Sequence, residues 1–204
     1  MARRHAWYAL PCPRILDLGS GTGKRLKEFA EFGCAAVGVD VGPTQEHLDI
    51  PAINAELGRQ AITFIQKNLT QLTENDLGKG GFSAVALENL IHYLPDEKET
   101  LENLFRLVKK VAVPGAYAVL KYQWRSDPGK LYYPRGYDHH PARICFLLQS
   151  FGYTGLIFEK DSAHCRIFAK IPGEKPPLPV ALHLRTRIHD RWLQMRCDFN
   201  LANG

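Results

Sequence analysis

The chain has 204 residues, 45% hydrophobic and 23% charged, which suits one globular domain with a real core and excludes a disordered or low-complexity chain. No apolar run reaches the roughly 20 residues that a membrane-spanning helix needs, and the opening residues are too short and too polar for a signal peptide, so a cytoplasmic protein with no membrane partner is expected. The net charge of +5 is concentrated near the ends, at Arg3 and Arg4 and at Arg185, Arg187, Arg191 and Arg196, which admits RNA as a partner without requiring it.

Three segments are expected: a short arm over 1–13, a domain over 14–171, and a proline-rich linker with a basic extension over 172–204. "RILDL" (14–18) reads as a buried strand. "KRLKEFAEFG" (24–33) reads as a helix, with Leu26, Phe29 and Ala30 on one face, Lys24–Glu28 and Lys27–Glu31 as i,i+4 pairs, and Gly33 as the stop. "AAVGVD" (35–40) is a second strand, and Pro51 is expected to interrupt the helix after it. "AITFIQ" (61–66) and "FSAVALE" (82–88) are the third and fourth strands.

A helix over 95–112 carries Leu101, Leu104, Phe105, Val108 and Val111 on one stripe, with Asp96 and Glu99 spaced as a capping box. A Pro114–Gly115 turn leads into a fifth strand at 116–122. Pro141 opens a further helix that Gly152 closes, and 153–159 with 164–170 read as a hairpin. The expected fold is therefore α/β: one Rossmann-like, doubly wound, mostly parallel sheet of seven strands with an antiparallel strand in its C-terminal hairpin. Beyond the linker, Leu184, Ile188, Trp192 and Met195 form a helical stripe, expected to pack back on the domain or to meet a partner.

The five cysteines (Cys12, Cys34, Cys145, Cys165, Cys197) are odd in number and form no C-x-x-C pair, so buried thiols are expected rather than disulfides or a metal site.

The loop "DLGSGTGKRL" (17–26) carries the chemistry. A phosphate-binding G-x-x-x-x-G-K-[ST] loop fails here, because Leu18 stands at its first glycine and Arg25 at its hydroxyl position. A dinucleotide G-x-G-x-x-G loop fails as well: the third glycine, Gly23, comes one residue early. What remains is D-x-G-x-G-x-G, with Asp17 at a strand end, a poor neighbour for a pyrophosphate and a good one for a cation.

On these residues the segment resembles motif I of the class I S-adenosylmethionine-dependent methyltransferases, and the resemblance continues in order through most of 14–171. A nicotinamide or flavin Rossmann protein is the rival; Asp40 is shared with it, whereas the glycine spacing and the hairpin are not. The resemblance implies S-adenosyl-L-methionine as cofactor, S-adenosyl-L-homocysteine as product, and a binding set of Asp17, Gly19, Ser20, Gly21, Asp40, Val41, Asn68, Leu69 and Glu88. Asp40 would bind the ribose hydroxyls, a task a carboxylate can perform with two hydrogen bonds. Asn68 would read the adenine amino group beside Leu69, and Glu88 would face the methyl-transfer region.

Catalytic candidates follow the fourth and fifth strands. "LIHYLPD" supplies His92, a possible base, and Tyr93, an acceptor contact; His92 orienting its loop is the blander alternative. "KLYYPRGYDHH" (130–140) supplies Tyr132, Tyr133 and Arg135 as acceptor contacts and Tyr137 and His139 as catalytic candidates, while His140 before Pro141 can be a helix-start residue. The resemblance implies a methyltransferase acting on an O, N or C nucleophile of a small planar acceptor. An RNA or protein methyltransferase that uses the basic ends, or a non-catalytic S-adenosylmethionine-binding module, is the alternative. Many members of the resembled family carry a longer stretch before the first strand, so either a more open site or a cover supplied by residues 180–199 is expected here.

Overall fold

A computed structural model describes residues 14–42, 48–78, 80–95, 97–123, 139–160 and 164–173. Strands β1 (Arg14–Leu18), β2 (Ala35–Asp40), β3 (Ile62–Gln66), β4 (Phe82–Glu88), β5 (Ala112–Gln123), β6 (Thr154–Lys160) and β7 (His164–Lys170) form one sheet in the order β3-β2-β1-β4-β5-β7-β6. The first five run parallel to one another, and β7 runs antiparallel to both β5 and β6. This is the expected doubly wound sheet with a single reversed strand.

Helix α1 (Lys24–Glu31) buries Leu26, Phe29 and Ala30 against one face, joined there by α2 (Ile50–Glu56) through Ile53. On the other face, α3 (Lys98–Val111) and α4 (Pro141–Ser150) bury Leu101, Leu104, Phe105, Val108, Ile144, Leu147 and Leu148 in the larger core. The two cores share the sheet, so each face of the central strands reads as apolar. Tyr153 sits 2% exposed, and its hydroxyl donates to the Phe105 carbonyl at 2.8 Å, which gives the buried oxygen its partner and locks β6 to α3.

Three local expectations are corrected. Pro51 does not interrupt a helix; it occupies the first turn of α2, where its missing N–H costs nothing, and Asp49 caps the helix by accepting from the Ala52 amide at 3.0 Å. Helix α3 starts at Lys98 with Glu97 at its cap and no side-chain cap bond, while Asp96 lies outside the described residues. A capping box is instead formed by Thr73 and Asp76 at the short 3₁₀ turn Glu74–Leu77. Finally, β5 begins at Ala112 rather than after the Pro114–Gly115 turn. The turn is absorbed as a bulge: Phe82 pairs with Ala112 and Ala84 with Tyr117, and Gly115 takes the left-handed φ of 79° that the detour demands.

His140 is the N-cap of α4, accepting from the Ala142 amide at 3.3 Å, with Pro141 beginning the helix. Cys34, Cys145 and Cys165 are buried free thiols; Cys12 and Cys197 lie outside the described residues, as do the arm 1–13 and the segment from 174 onward. Among the described residues no helix is long and apolar enough to cross a membrane.

Candidate active site

The strand order departs in opposite directions from β1 and β4, and open α/β sheets form their ligand crevice outside the carboxyl ends at such a switch point. The glycine loop sits there. Gly19 and Ser20 both donate backbone N–H groups to the Val39 carbonyl, at 2.8 and 3.1 Å, which pins the loop to β2. Gly19, Gly21 and Gly23 have φ of 73°, 52° and 74°, a conformation that side chains disfavour, and this is why three glycines recur at alternate positions. A Cβ on Gly19 would lie 3.0 Å from Leu90, so the loop also needs glycine to pack against the segment after β4. Gly38 of β2 is equally constrained: a Cβ there would meet Leu26 at 2.4 Å and Ser20 Oγ at 2.8 Å.

Asp17 is 2% exposed at the penultimate position of β1. Burial pushes its carboxyl up to about 7; Arg25 opposes that rise, and the nearby Glu88 and Asp40 charges add to it. Its Oδ1 accepts no hydrogen bond and lies 3.5 Å from Arg25 Nη1. Arg25 also reaches Glu88 Oε2, at 2.8 Å, from the first turn of α1. A buried carboxylate with an open lone pair, next to a second carboxylate, is a seat for a cation, and it fits the ammonium and sulfonium of S-adenosylmethionine better than any phosphate.

Asp40 ends β2 with its carboxylate held by two amides, Gly21 N–H to Oδ2 at 2.8 Å and Gly42 N–H to Oδ1 at 3.0 Å. Val41 beside it is an exposed apolar residue, at 62%. Asn68 caps the short turn Leu69–Gln71: its Oδ1 accepts from both the amide and the hydroxyl of Thr70, each at 3.0 Å. An adenine amino group read by Asn68, as the resemblance implies, would have to share that oxygen or displace Thr70 from it. A cleft of about 210 Å³ between this turn and the start of α3 is lined by Leu69, Leu72, Leu94 and Leu104 and not by Asp17, Asp40 or Glu88.

His92 and His139 are brought together by tertiary structure, 4% and 0% exposed. His139 Nε2 lies 2.9 Å from the Leu94 carbonyl, which can only accept, so that nitrogen carries a proton. The His92 ring packs against that of Tyr93 at a tilt of 43°, centroids 4.2 Å apart. Burial lowers the His92 pKa to about 4, helped by the charges of His139 and His164, so it is neutral and only weakly basic near neutral pH. Tyr93 is 50% exposed. Tyr132, Tyr133, Arg135 and Tyr137 lie outside the described residues. Among the described residues no cluster of three or more His, Cys, Asp or Glu side chains is arranged to hold a metal ion.

Two residues of this site escaped the sequence. Arg25 sits in a helix's first turn, where the dipole opposes a cation; that misplacement was the available signal. Asn89 follows Glu88 with φ of 55°, the left-handed conformation among non-glycine described residues, and its amide donates to the Lys121 carbonyl at 2.5 Å. Asparagine tolerates that conformation better than most residues do, a weak signal at best.

Residues 5–168 match the model of a family described as a methyltransferase domain. A 2-heptyl-1-hydroxyquinolin-4(1H)-one methyltransferase of Mycobacteroides abscessus is 31% identical over 115 residues, covering 56% of this chain and 48% of that protein. A methyltransferase of Geobacillus sp. strain WCH70 is 33% identical over 101 residues, 48% of this chain and 38% of its own length. The alignments thus span less than half of either curated relative. Among solved structures, the Burkholderia thailandensis 1,6-didemethyltoxoflavin-N1-methyltransferase, determined with 1,6-didemethyltoxoflavin and S-adenosylhomocysteine, superposes with a TM-score of 0.62 at 16% identity over 79% of this chain and 72% of that one. An O-methyltransferase family protein from the same organism gives 0.61 at 13% identity over 80% of this chain and 52% of its own. At such identities the likeness is one of fold. The family match spans most of the chain, and its strand ends carry the glycine loop and the acids described above: the protein belongs to the methyltransferase-domain family.

Proposed function

We propose that this chain binds S-adenosyl-L-methionine and transfers its methyl group to an O, N or C nucleophile of a small planar acceptor, releasing S-adenosyl-L-homocysteine. The observation that carries this reading is Asp17: a carboxyl with an unbonded oxygen, buried beneath a left-handed glycine loop and beside Glu88. The bound donor supplies a methyl group already activated on a positive sulfur, so the protein's task is alignment and the exclusion of water.

Asp17 and Glu88 hold the cationic end of the donor. Asp40, fixed by the Gly21 and Gly42 amides, presents its remaining lone pairs to the ribose hydroxyls. Asn68 and Leu69 border the adenine, with Gly19, Ser20, Gly21 and Val41 shaping the loop around it. His92 and Tyr93 stand where the acceptor approaches. His92 accepts a proton only weakly, which suits an acceptor that ionises by itself or needs no deprotonation. His139 holds the Leu94 carbonyl and so fixes the segment that carries both. Tyr132, Tyr133, Arg135 and Tyr137 are assigned to the acceptor pocket on the sequence alone.

The relatives support a planar acceptor: the Mycobacteroides protein is named for a hydroxyquinolone and the Burkholderia one for a didemethyltoxoflavin, both flat fused rings. Incubating the protein with methyl-labelled donor and a panel of planar phenols and nitrogen heterocycles tests the activity. Labelled product from a panel member is expected; donor turnover that only RNA stimulates would contradict the small-molecule acceptor.

A further inference from the structure

A charged row crosses the sheet beside the Asp17–Glu88 pair. The strand registers set Glu88 of β4 opposite Lys121 of β5, Lys121 opposite Arg166 of β7, and Arg166 opposite Glu159 of β6. Directly paired positions place their side chains on one face. That face is the one carrying α1, because Arg25 of α1 reaches Glu88. The next row toward the strand starts, Ala86, Val119, Phe168 and Ile157, is wholly apolar. Beside the donor seat, an apolar row on this sheet face is thus bordered by a charged one, the composition that suits a flat ring with one polar substituent.

Within the row, two cations stand opposite each other on adjacent strands, an arrangement that is destabilising without a neighbouring anion. Arg166 has Glu159, 3.9 Å away and 9% exposed, whose carboxyl burial pushes upward and Arg166 pulls down. Lys121 is half-buried and less well served. Its cross-strand acid, Glu88, is engaged by Arg25 at 2.8 Å, and among the described residues the Lys121 ammonium makes no ion pair. A cationic donor seated at Asp17 and Glu88 would draw Glu88 still further from Lys121.

We propose that Lys121, with Arg166 beside it, is an anion seat for the acceptor, and that the acceptor is an aromatic molecule bearing an oxyanion. The ring lies on the apolar row, and the oxyanion meets the Lys121 ammonium. This rests on the methyltransferase reading, since the acceptor is that of the proposed methyl transfer.

The test uses the full chain saturated with S-adenosyl-L-homocysteine and matched probes: 4-hydroxybenzoate against 4-hydroxybenzamide, quinoline-4-carboxylate against its amide, and 4-nitrophenolate against 4-nitroanisole. The charged member of a pair should bind about tenfold tighter or better, as one charge-assisted hydrogen bond provides. Lys121→Gln should abolish that preference while leaving the weak binding of the neutral member, and Lys121→Arg should restore it. Preference confined to the carboxylates points to a ring carboxylate, and preference confined to nitrophenolate points to an ionised nucleophile. Equal binding within every pair, no binding of any probe, or a preference that survives in Lys121→Gln overturns the proposal. The homocysteine titration of wild type separates this from the reading beneath it: no binding there removes both, whereas normal binding with indifferent probes removes only the anion seat.

Discussion

The Arg25 guanidinium lies 2.8 Å from Glu88, tying the first turn of α1 to the end of β4 across 63 positions of sequence. The same side chain stands 3.5 Å from Asp17, so one cation offsets two acids at the crevice. Arg25→Gln leaves both acids without it. The variant should melt at a lower temperature than wild type, and the gap should widen from pH 6 to pH 8 as the uncompensated Asp17 carboxyl ionises. S-adenosylmethionine should recover more of the melting temperature in the variant than in wild type, because it replaces the lost positive charge. Differential scanning fluorimetry with and without donor reads both effects.

Asp17 gives the protein a stability that depends on pH. Its folded pKa of about 7 lies above the ordinary aspartate value of 3.8, so the folded state holds the proton longer than the unfolded one. Its contribution is full below 3.8 and is lost as pH rises through about 7. Asp17→Asn removes this penalty and should be more stable than wild type at pH 8, by up to roughly 4 kcal/mol, while losing donor affinity. Urea unfolding of both proteins at pH 5 and pH 8 measures the difference. In wild type a cation arriving beside Asp17 favours its ionised form, so donor binding should release a proton near pH 7, seen as a dependence of binding heat on buffer.

Asp40→Ala removes a carboxylate that both arranges the glycine loop and faces the proposed ribose. Donor binding should weaken by about 1–3 kcal/mol, with S-adenosylhomocysteine affected equally, since the ribose is common to both. An unchanged dissociation constant would place the donor elsewhere.

His92 works in the opposite pH direction from Asp17. Its pKa falls from 6.5 to about 4 on folding, so the folded state binds fewer protons between those values and stability rises with pH across that window. His92→Gln should flatten the acid limb of the stability profile, a change of at most about 3 kcal/mol at pH 4. In turnover, a base of this pKa predicts a rate that is level from pH 6 to 8. A limb centred near 6.5 would indicate a different general base.

Gly38→Ala tests the packing beneath the loop. The added methyl would lie 2.4 Å from Leu26, a core residue with 0% exposure, so α1 must shift. A loss of about 1–3 kcal/mol is expected on denaturant unfolding, accompanied by weaker donor binding because the same methyl would press on Ser20 Oγ of the loop, 2.8 Å away.

The strands and the amphipathic helices were legible because apolar spacing is a local property, and the glycine loop was legible because its left-handed angles exclude other residues. Pro51 was misread because proline has the same appearance whether it breaks a helix or opens one; the cap at Asp49, two residues earlier, decides it. The bulge at Pro114–Gly115 depends on how β5 pairs with β4, which no single segment reveals. Arg25 and Lys121 were missed for the same reason: their significance lies in partners on other strands, and strand register is a tertiary fact. His92 and His139, 47 positions apart, were each visible as histidines, but neither their burial nor their proximity was.

The most direct measurement of the central claim is isothermal calorimetry of wild type and Asp17→Asn with S-adenosylmethionine at pH 8, where the Asp17 carboxyl is mostly ionised. Saturable one-to-one binding to wild type is expected, with a loss of about tenfold or more in the variant, the worth of a charged hydrogen bond. Absence of binding to folded wild type, or equal affinity in the two proteins, would contradict it.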